Sequence, residues 1–451
     1  MSKELVDRAT LSQWIASWDP NEPIDPDDKR YLNFGDYDTS LRGEGHVQGL
    51  YDAITLETAP SVQLFSGFSG TGKSTELRRL KKKLEADGYT VLLVDFKSYH
   101  DLHHPLTTED MAVLLASAFG DATSELLGKN AVKESFLNRI KDYLRTEIGV
   151  EEAKLKAGVL DFKIGIRNAR PFWVELRDKL AASPERLQEE SHQFILKCIE
   201  RIKKKTNTDQ VVFIVDSLEK LSSIVATDFI EVMNSLLQIF SDSADLLRLP
   251  GCHVVYSIPP YAHIVSPRLG EQFRMRFVLP AVKVFTRGPE PEPFQPGIQA
   301  LTELVRRRLP IDVIFGDRLD LLERMIAYSG GHIRTLMFFI RELLYGAAQL
   351  PLPPKEEDIE RAVQPFRERA RMAVRFEGVP ILAKVMKTGS LEGITAEQDA
   401  IAAQYLDDFI VLCYRNGDGW YEVHPLVRDL VQKLAAKQAE EAPKESQAND
   451  P

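Results

Sequence analysis

The chain has 451 residues, of which 57 are Lys or Arg and 67 are Asp or Glu, so its formal net charge at pH 7 is −10. At roughly 100–200 residues per domain, this length predicts two to four domains and excludes a small stapled scaffold. The negative charge argues against a protein whose main task is to coat nucleic acid, because that affinity comes largely from Lys and Arg. The three cysteines, Cys198, Cys252 and Cys413, form no Cys-x-x-Cys pair and favour a reducing, cytoplasmic compartment.

The first 40 residues predict a short helix followed by an arm. Trp14 and Trp18 lie one helical turn apart, while Pro20, Pro23 and Pro26 prevent the helix from continuing. The chain begins with acidic residues in place of a basic cap and an apolar stretch, and no later segment approaches about 18 consecutive apolar residues. Export and membrane spanning are therefore not expected.

Strand patterns and helix patterns alternate over residues 41–287. Strands are predicted at 61–67, 90–96, 211–216, 253–258 and 276–285. A helix is predicted at 46–57, before the first strand, and others at 74–88 and 227–242, between strands. Several of the strands are continuous apolar runs, which are typical of a parallel sheet covered on both faces. The pattern predicts a three-layer α/β domain.

The connection between the second and third predicted strands exceeds 100 residues and is too long for one crossover helix. It is interpreted as a mainly helical insertion over about 100–205, with one half-buried strand at 160–166. The helices predicted in it lie at 109–119, 130–147, 171–182 and 185–205.

A proline-rich connector at 288–297 precedes a change to helices alone, which predicts a helical lid. Farther on, Asn416-Gly417-Asp418-Gly419 is a tight turn between two β-prone runs and predicts a hairpin followed by a helix, hence a winged helix. The predicted organisation is an N-terminal helix and arm at 1–40, an α/β core at 41–287, a lid at 288–365, a winged helix at 366–438 and a disordered tail at 439–451.

The strongest chemical signal is Gly67-Phe68-Ser69-Gly70-Thr71-Gly72-Lys73-Ser74, a complete G-x-x-x-x-G-K-[ST] between a predicted strand and a predicted helix. In this motif, backbone N–H groups curl around phosphates at the N-terminus of the helix. Lys73 supplies a charge to the phosphate oxygens and Ser74 a ligand to Mg²⁺. The motif and the next residue, Thr75, are thus candidates to bind ATP or ADP, so that the predicted core is a P-loop NTPase domain.

A second acidic element is expected at another strand end, and residues 211–216 end in Asp216. Asp216 is predicted to hold Mg²⁺ through water, the alternative being a helix N-cap. Three residues later, Glu219 is predicted to orient or deprotonate the attacking water. The alternative for Glu219 is a first-turn acid favoured by a helix dipole.

The P-loop and four other segments together resemble the STAND-type signalling ATPases of the AAA+ superfamily, the group that includes NACHT, KAP and NB-ARC proteins. Besides the P-loop, they are Leu41-Arg42-Gly43-Glu44, Asp216-Ser217-Leu218-Glu219-Lys220, Gly330-Gly331-His332-Ile333-Arg334 and Val423-His424-Pro425. The resemblance covers about residues 41–435. It implies a nucleotide-controlled ATPase that oligomerises or controls a partner.

The resemblance also implies roles for single residues. Arg42 would lie by the adenine, Arg334 would reach the γ-phosphate from the lid or else cap the preceding helix, and His424 would contact bound ADP or else be a core histidine. An arginine finger acting on a neighbouring copy would be one of the arginines before the fifth strand, and Ser257 stands at the sensor-1 position. The candidate fingers are Arg268, Arg274 and Arg276.

Members of this group usually carry an effector domain and a repeat sensor, and neither fits in this chain. A separate effector protein and a homo-oligomer are therefore expected, and such compact ATPases in bacteria often belong to stress or antiviral systems. The alternative is an origin-recognition, loader-like or transposition ATPase acting on DNA. Residues 366–438 hold ten Lys and Arg against ten Asp and Glu, which disfavours DNA because a winged helix that grips it should be basic. A small-molecule kinase is disfavoured because it has no reason to carry a lid and a winged helix.

Overall fold

The computed structural model describes residues 5–37, 39–43, 45–100, 104–128, 136, 139, 184–220, 226–266, 269–273, 276–416 and 418–441. The chain divides into two compact units. The sheet unit comprises His46–Gly67 and Lys73–Val278, and the helical unit comprises Met1–Gly45, Phe68–Gly72 and Leu279–Pro451. Within the described ranges no helix is long and apolar enough to cross a bilayer.

The strands and helices follow the predicted order. The strands are β1 Val62–Gly67, β2 Thr90–Asp95, β3 Val211–Asp216, β4 His253–Ile258, β5 Arg276–Leu279, β6 Val411–Asn416 and β7 Asp418–Val423. The helices are α1 Arg8–Ser17, α2 His46–Thr55, α3 Lys73–Ala86, α4 Thr108–Leu127, α5 Pro184–Thr206, α6 Ala226–Asp242, α7 Ala244–Leu247, α8 Ala262–Val265, α9 Leu269–Gln272, α10 Gln295–Arg306, α11 Ile311–Phe315, α12 Leu319–Tyr328, α13 Ile333–Gly346, α14 Glu356–Ala373, α15 Val379–Thr388, α16 Ala396–Asp407 and α17 Arg428–Glu441.

The sheet unit is built on a five-stranded sheet in the order β2-β3-β4-β1-β5. The pairs β1–β4, β2–β3 and β3–β4 are parallel, and every residue of β1, β3 and β4 is buried. This burial on both faces explains the continuous apolar runs in the sequence. The predicted P-loop NTPase fold is confirmed, and β4 lies between the strand that precedes the P-loop and the strand that ends in Asp216.

The long connection between β2 and β3 is helical where the structure describes it. α4 begins with a capping box in which the Thr107 and Asp110 side chains each bond the other's backbone N–H, and it runs well past the predicted end. α5 matches its predicted range closely. Apart from Phe136 and Arg139, the helices predicted at 130–147 and 171–182 and the strand at 160–166 lie outside the described residues.

The fifth strand is shorter than predicted: it ends at Leu279, directly before Pro280. Proline has no N–H group to donate to a sheet ladder. The N–H groups of the next three residues donate to the carbonyls of Cys413, Gly331 and Leu41, at 3.0, 3.1 and 2.9 Å. The second half of the predicted strand therefore belongs to the helical unit.

The helical unit has one large core, formed by α1, the N-terminal arm and α10–α14. Trp18 is fully buried in it, and its indole Nε1 donates to the carbonyl of Met337 on α13 at 2.9 Å. A buried indole N–H needs such a partner. The N-terminal arm is thus held on the predicted lid helices.

The last part of the helical unit is the hairpin module, defined here as residues 379–441. Its strands β6 and β7 pair antiparallel from Val411 opposite Val423 to Asn416 opposite Asp418. The predicted hairpin and the helix that follows it are confirmed. The rings of Tyr414 and Trp420, directly opposite each other, lie 4.7 Å apart and form part of a small core.

Candidate functional site

The P-loop connects β1, which ends at Gly67, to α3, which begins at Lys73. Gly70 and Gly72 have φ angles of +89° and +99°, in the left-handed region that glycine adopts readily. A Cβ on Gly70 would also lie 2.4 Å from the Cβ of Arg334, closer than real atoms approach. Position 70 therefore requires glycine for both backbone conformation and space.

In the sheet unit, Lys73 is buried and its ammonium group contacts two oxygen atoms. Its Nζ donates to the carbonyl of Gly67 at 2.6 Å and lies 3.3 Å from Oε1 of Glu219. Burial lowers the pKa of Lys73, and the negative charges of Glu219 and Asp216 oppose that shift. The P-loop lysine is thus paired with the carboxylate predicted to activate water.

Asp216 lies at the end of β3 and accepts a hydrogen bond from the side chain of Ser74. Burial, with a further contribution from the charge of Glu219, raises the pKa of Asp216 above its ordinary value. A hydroxyl and a carboxylate held together are the hard oxygen ligands that Mg²⁺ prefers, and Mg²⁺ takes few protein ligands when it also binds phosphates. The donor set of Ser74 and Asp216 therefore fits the ion that this fold class uses.

A tight turn after Asp216 directs Glu219 back towards Lys73. Ser217 has a φ of +76°, which is uncommon for a residue with a side chain, and its N–H donates to Oδ1 of Asp216 at 2.7 Å. The 3₁₀ turn Leu218–Lys220 follows. Backbone strain of this kind is concentrated at functional sites. Here the turn brings the Glu219 carboxylate to Lys73, with Oε1 3.3 Å from Nζ.

Ser257, at the end of β4, positions Glu219. Its Oγ donates to Oε2 of Glu219 at 2.6 Å and accepts from the N–H of Leu218 at 3.2 Å. Burial alone would raise the pKa of Glu219, but the charges of Lys73 and Lys220 and the bond from Ser257 outweigh it, so the net pKa lies below the ordinary value. Glu219 is therefore ionised at neutral pH.

We expect Ser257→Ala to lower kcat for ATP hydrolysis about tenfold while the Kd for ATP stays within about twofold. The reason is that a hydrogen bond to a charged group contributes roughly 1.5–3 kcal/mol, and here that bond orients the carboxylate. Steady-state kinetics and calorimetric titration measure the two quantities. Ser117→Ala is the matched control, since Ser117 is also buried in the sheet unit and its Oγ makes no hydrogen bond within the described residues. An equal fall in both variants would show a loss of general stability instead.

In the helical unit, residues 330–334, here called the GGHIR segment, contact the tip of the P-loop. Nε2 of His332 donates to the carbonyl of Ser69 at 2.7 Å, and Nη1 of Arg334 donates to the Ser69 Oγ at 2.8 Å. The backbone N–H of Arg334 donates to the carbonyl of Gly70 at 3.3 Å. Three hydrogen bonds thus join the segment to two successive P-loop residues.

Arg42 supplies a donor to the next carbonyl of the loop. Its Nη2 donates to the carbonyl of Thr71 at 2.8 Å, and its guanidinium lies 4.5 Å from the centre of the Phe34 ring. The carbonyls of Ser69, Gly70 and Thr71 are all held by donors from the helical unit. Because carbonyl and N–H groups point to opposite edges of a trans peptide, these bonds orient the N–H groups of the loop.

His424 is buried in the hairpin module. Its ring Nδ1 accepts from the backbone N–H of Leu426 at 3.3 Å, and the backbone N–H of His424 donates to the carbonyl of Ile410 at 2.8 Å. Burial lowers the pKa of His424 to about 4. His424 is thus a buried histidine, and its predicted contact with ADP stays a prediction.

The buried His424 makes stability depend on pH. Its folded pKa of about 4 lies below the ordinary 6.5, so as pH falls from 6.5 towards 4 the unfolded chain binds a proton that the folded chain excludes. The free energy of unfolding should fall by about 2 kcal/mol between pH 7.5 and pH 5. His424→Asn keeps an acceptor near the position of Nδ1 but has no group that titrates. In urea denaturation, the free energy of unfolding of this variant should therefore fall about 2 kcal/mol less between pH 7.5 and pH 5 than that of wild type. Equal slopes for both proteins would contradict it.

The remaining site predictions have mixed positions. Thr75 lies half-buried in the first turn of α3, and Phe68 is buried in the P-loop. Arg268 and Arg274 lie outside the described residues, and Arg276 is described only as the first residue of β5. The arginine finger therefore stays a prediction.

His332 contacts the P-loop although the sequence pattern did not single it out as a site residue. His332 is part of the motif 330–334, in which only Arg334 was predicted to have a role, so its position in that motif could have indicated it. Its ring fits between the loop and the neighbouring side chains, and it is almost fully buried.

The chain was compared with curated proteins and with solved structures. No curated protein matches the chain. One similar solved structure is the Aeropyrum pernix Orc1 protein in complex with DNA, with 12% identity, coverage of 87% of this chain and 93% of that chain, and a TM-score of 0.37. A second is the Aeropyrum pernix Orc2 protein, with 12% identity, coverage of 97% of this chain and 100% of that chain, and a TM-score of 0.39. A third is Cdc6p from Pyrobaculum aerophilum, with 10% identity, coverage of 96% of this chain and 99% of that chain, and a TM-score of 0.37. At these TM-scores the likeness carries no functional conclusion.

The family comparison covers the residues that form the sheet-unit site. Residues 49–244 match the KAP family P-loop domain. The matched range contains β1, the P-loop, Asp216 and Glu219. The predicted resemblance to KAP proteins is therefore confirmed over residues 49–244, which form a P-loop NTPase domain similar to the KAP family P-loop domain.

Proposed function

We propose that the protein is an ATP-hydrolysing molecular switch of the STAND type. One observation carries this proposal: the GGHIR segment contacts the P-loop and the hairpin module at once. His332 and Arg334 bond to Ser69, while the carbonyl of Gly330 accepts from the Tyr414 hydroxyl on β6 at 2.5 Å. A change at the phosphate-binding loop can thereby reach the end of the chain.

The hydrolytic step uses the residues of the sheet unit. Water attacks the γ-phosphorus of ATP, the bond to the β-phosphate oxygen breaks, and the proton of the water passes to the carboxylate of Glu219. Lys73 offsets the negative charge of the phosphates, and Ser257 holds Glu219 in place. Ser74 and Asp216 would hold Mg²⁺, which would supply positive charge to offset the negative charge of the phosphates. The products are ADP and inorganic phosphate.

The Lys73–Glu219 ion pair supports slow, regulated hydrolysis. The two charged groups lie 3.3 Å apart, and both side chains are about 2% exposed. A γ-phosphate that attracts Lys73 competes with Glu219 for the ammonium group. The carboxylate is then released to accept a proton, so the base becomes active only with triphosphate bound.

A switch needs two states that bind ATP and ADP with different free energies. The GGHIR segment can supply that difference, because Arg334 places a guanidinium against the P-loop hydroxyl of Ser69. A phosphate oxygen is a stronger partner for Arg334 than a neutral hydroxyl. The triphosphate would therefore rearrange the segment, whereas the diphosphate would leave it in place.

The charges of the hairpin module favour a protein partner over DNA. Helix α16 has no Lys or Arg among its residues, and it carries Glu397, Asp399 and Asp407. DNA recognition needs Lys and Arg near the phosphates. We therefore propose that ATP drives self-association and the engagement of a separate effector protein in the cytoplasm.

Nucleotide binding and particle mass together test the proposal. Wild-type protein should bind ATP, hydrolyse it slowly and gain mass in light scattering with ATP and Mg²⁺ but not with ADP. Lys73→Ala should show none of these effects, while Lys82→Ala, from the same helix, should behave as wild type. ATP binding without any difference in mass or shape between the ATP and ADP states would overturn the switch. Salt-dependent binding of duplex DNA by the full chain would favour the DNA-acting alternative.

A further inference from the structure

Phe409 has an unusual backbone conformation in the turn between α16 and β6. Its φ is +60°, which L-amino acids with large side chains rarely adopt. The other non-glycine residues with positive φ in the described ranges are Asn207, which tolerates it better, and Ser217 in the sheet-unit site. An aromatic residue in this conformation persists only where its surroundings hold it.

The Phe409 ring is held between the hairpin module and the P-loop. It packs against the small core of the hairpin on one side. It stacks on the imidazole of His332 with ring centres 4.4 Å apart and planes at 27°, and it meets the Phe68 ring edge-on at 6.1 Å. Phe68 is a P-loop residue, so a single side chain joins the module to the loop directly and through His332.

The stacked His332 has both ring nitrogens in hydrogen bonds. The carbonyl of Ser69 can only accept, so Nε2 carries the proton, and Nδ1 accepts from the hydroxyl of Thr335 at 2.7 Å. The plane of the imidazole must stay fixed for Nε2 to reach Ser69 at 2.7 Å. The Phe409 ring covers one face of that plane and limits its rotation.

We propose that Phe409 is a positioning residue through which the hairpin module sets the conformation of the P-loop. It acts through His332 on the carbonyl of Ser69 and by direct contact on Phe68. The consequence for nucleotides rests on the proposed function, since it assumes that the P-loop binds ADP and ATP. If the hairpin module moves, Phe409 leaves the P-loop. The loop would then loosen and ADP would be released faster.

The first measurement needs no nucleotide. Hydrogen exchange of the amides in the peptide 66–74 should be about tenfold faster in Phe409→Ala than in wild type. Phe409→Gly removes the ring and the backbone strain together, so an equal acceleration in both variants assigns the effect to the ring. Phe409→Tyr, which keeps the ring, should restore wild-type exchange. Unchanged exchange of this peptide in both Ala and Gly variants would overturn the proposal.

The second measurement is release of a fluorescent ADP in stopped flow. Release should be about tenfold faster in Phe409→Ala, with KM for ATP raised and kcat at saturation within about twofold, because Lys73 and Glu219 are untouched. Phe376→Ala is the matched control, since this phenylalanine of the same unit is 52% exposed. If circular dichroism shows that the Phe409→Ala variant does not fold, Phe409→Leu replaces it in the same measurement of ADP release.

The two measurements separate two kinds of failure. Faster exchange of the peptide 66–74 in a protein that binds no nucleotide would sustain the role of Phe409 and refute the proposed function. Normal nucleotide binding with wild-type exchange and wild-type ADP release in every Phe409 variant would refute the role of Phe409 and leave the proposed function standing.

Discussion

Replacing Glu219 with glutamine should lower the single-turnover rate of ATP hydrolysis about a thousandfold and leave ATP bound. The amide keeps the shape of the side chain but cannot take the proton of the attacking water, and a positioned general base typically contributes 10²–10⁴-fold, roughly. The hydrogen bond from Ser257 survives, because the amide oxygen can accept it. Quench-flow with labelled ATP measures the rate, and filter binding measures the nucleotide retained.

The control for this variant is Glu85→Gln. Glu85 lies near the end of α3, where its carboxylate pairs with Lys81 at 3.3 Å, and it is 44% exposed. Hydrolysis in that variant should match wild type. A rate within about fivefold of wild type for Glu219→Gln would show that Glu219 is only a first-turn acid and that another group activates water.

The second large effect is expected at Gly331. A Cβ on this residue would lie 1.8 Å from the carbonyl oxygen of Val282, and the φ of +73° is unfavourable for alanine. Gly331→Ala must push the GGHIR segment away from residues 281–284, which also breaks the 3.1 Å bond from the Val282 N–H. The free energy of unfolding of the helical unit should fall by about 3 kcal/mol.

Gly331→Ala should also weaken ATP binding, because the displaced segment carries His332 and Arg334. Urea denaturation and calorimetry measure the two effects. Gly346→Ala provides the control: Gly346 ends α13, and an added Cβ there meets no atom within 4 Å. That variant should be neutral or slightly more stable. Wild-type stability of Gly331→Ala would mean that the segment does not pack as described.

The parts of the site that follow from local pattern could be predicted from the sequence. The P-loop is continuous in the chain, and Asp216 ends an apolar run that had to be a buried strand. The hairpin was marked by its turn residues in the same way. Such features need only short-range information.

The contacts that connect distant segments could not be predicted. Ser69 and His332 are 263 residues apart in the chain, and Ser257 and Glu219 are 38 apart. Their meeting depends on the strand order and on the packing of the helical unit. The stack of Phe409 on His332 has no sequence signature, because a phenylalanine between a helix and a strand usually indicates core packing alone.

The shortened β5 is a different kind of miss. Pro280 was visible in the sequence, and its missing N–H predicts an interruption. The apolar pattern continues past the proline because Val282 and Val284 are buried in the core of the helical unit instead of the sheet. The burial of Val282 and Val284 was therefore predicted correctly, but these residues pack in the helical unit and not in the sheet.

Hydrogen exchange of the Glu219→Gln protein with ATP, with ADP and without nucleotide tests the switch most directly. If ATP acts through the GGHIR segment, exchange in the peptides 330–334 and 405–416 should differ between the ATP and ADP states, in addition to changes at the P-loop. Identical exchange in those peptides with either nucleotide, and changes limited to 67–75 and 216–219, would contradict a coupling of the nucleotide to the hairpin module.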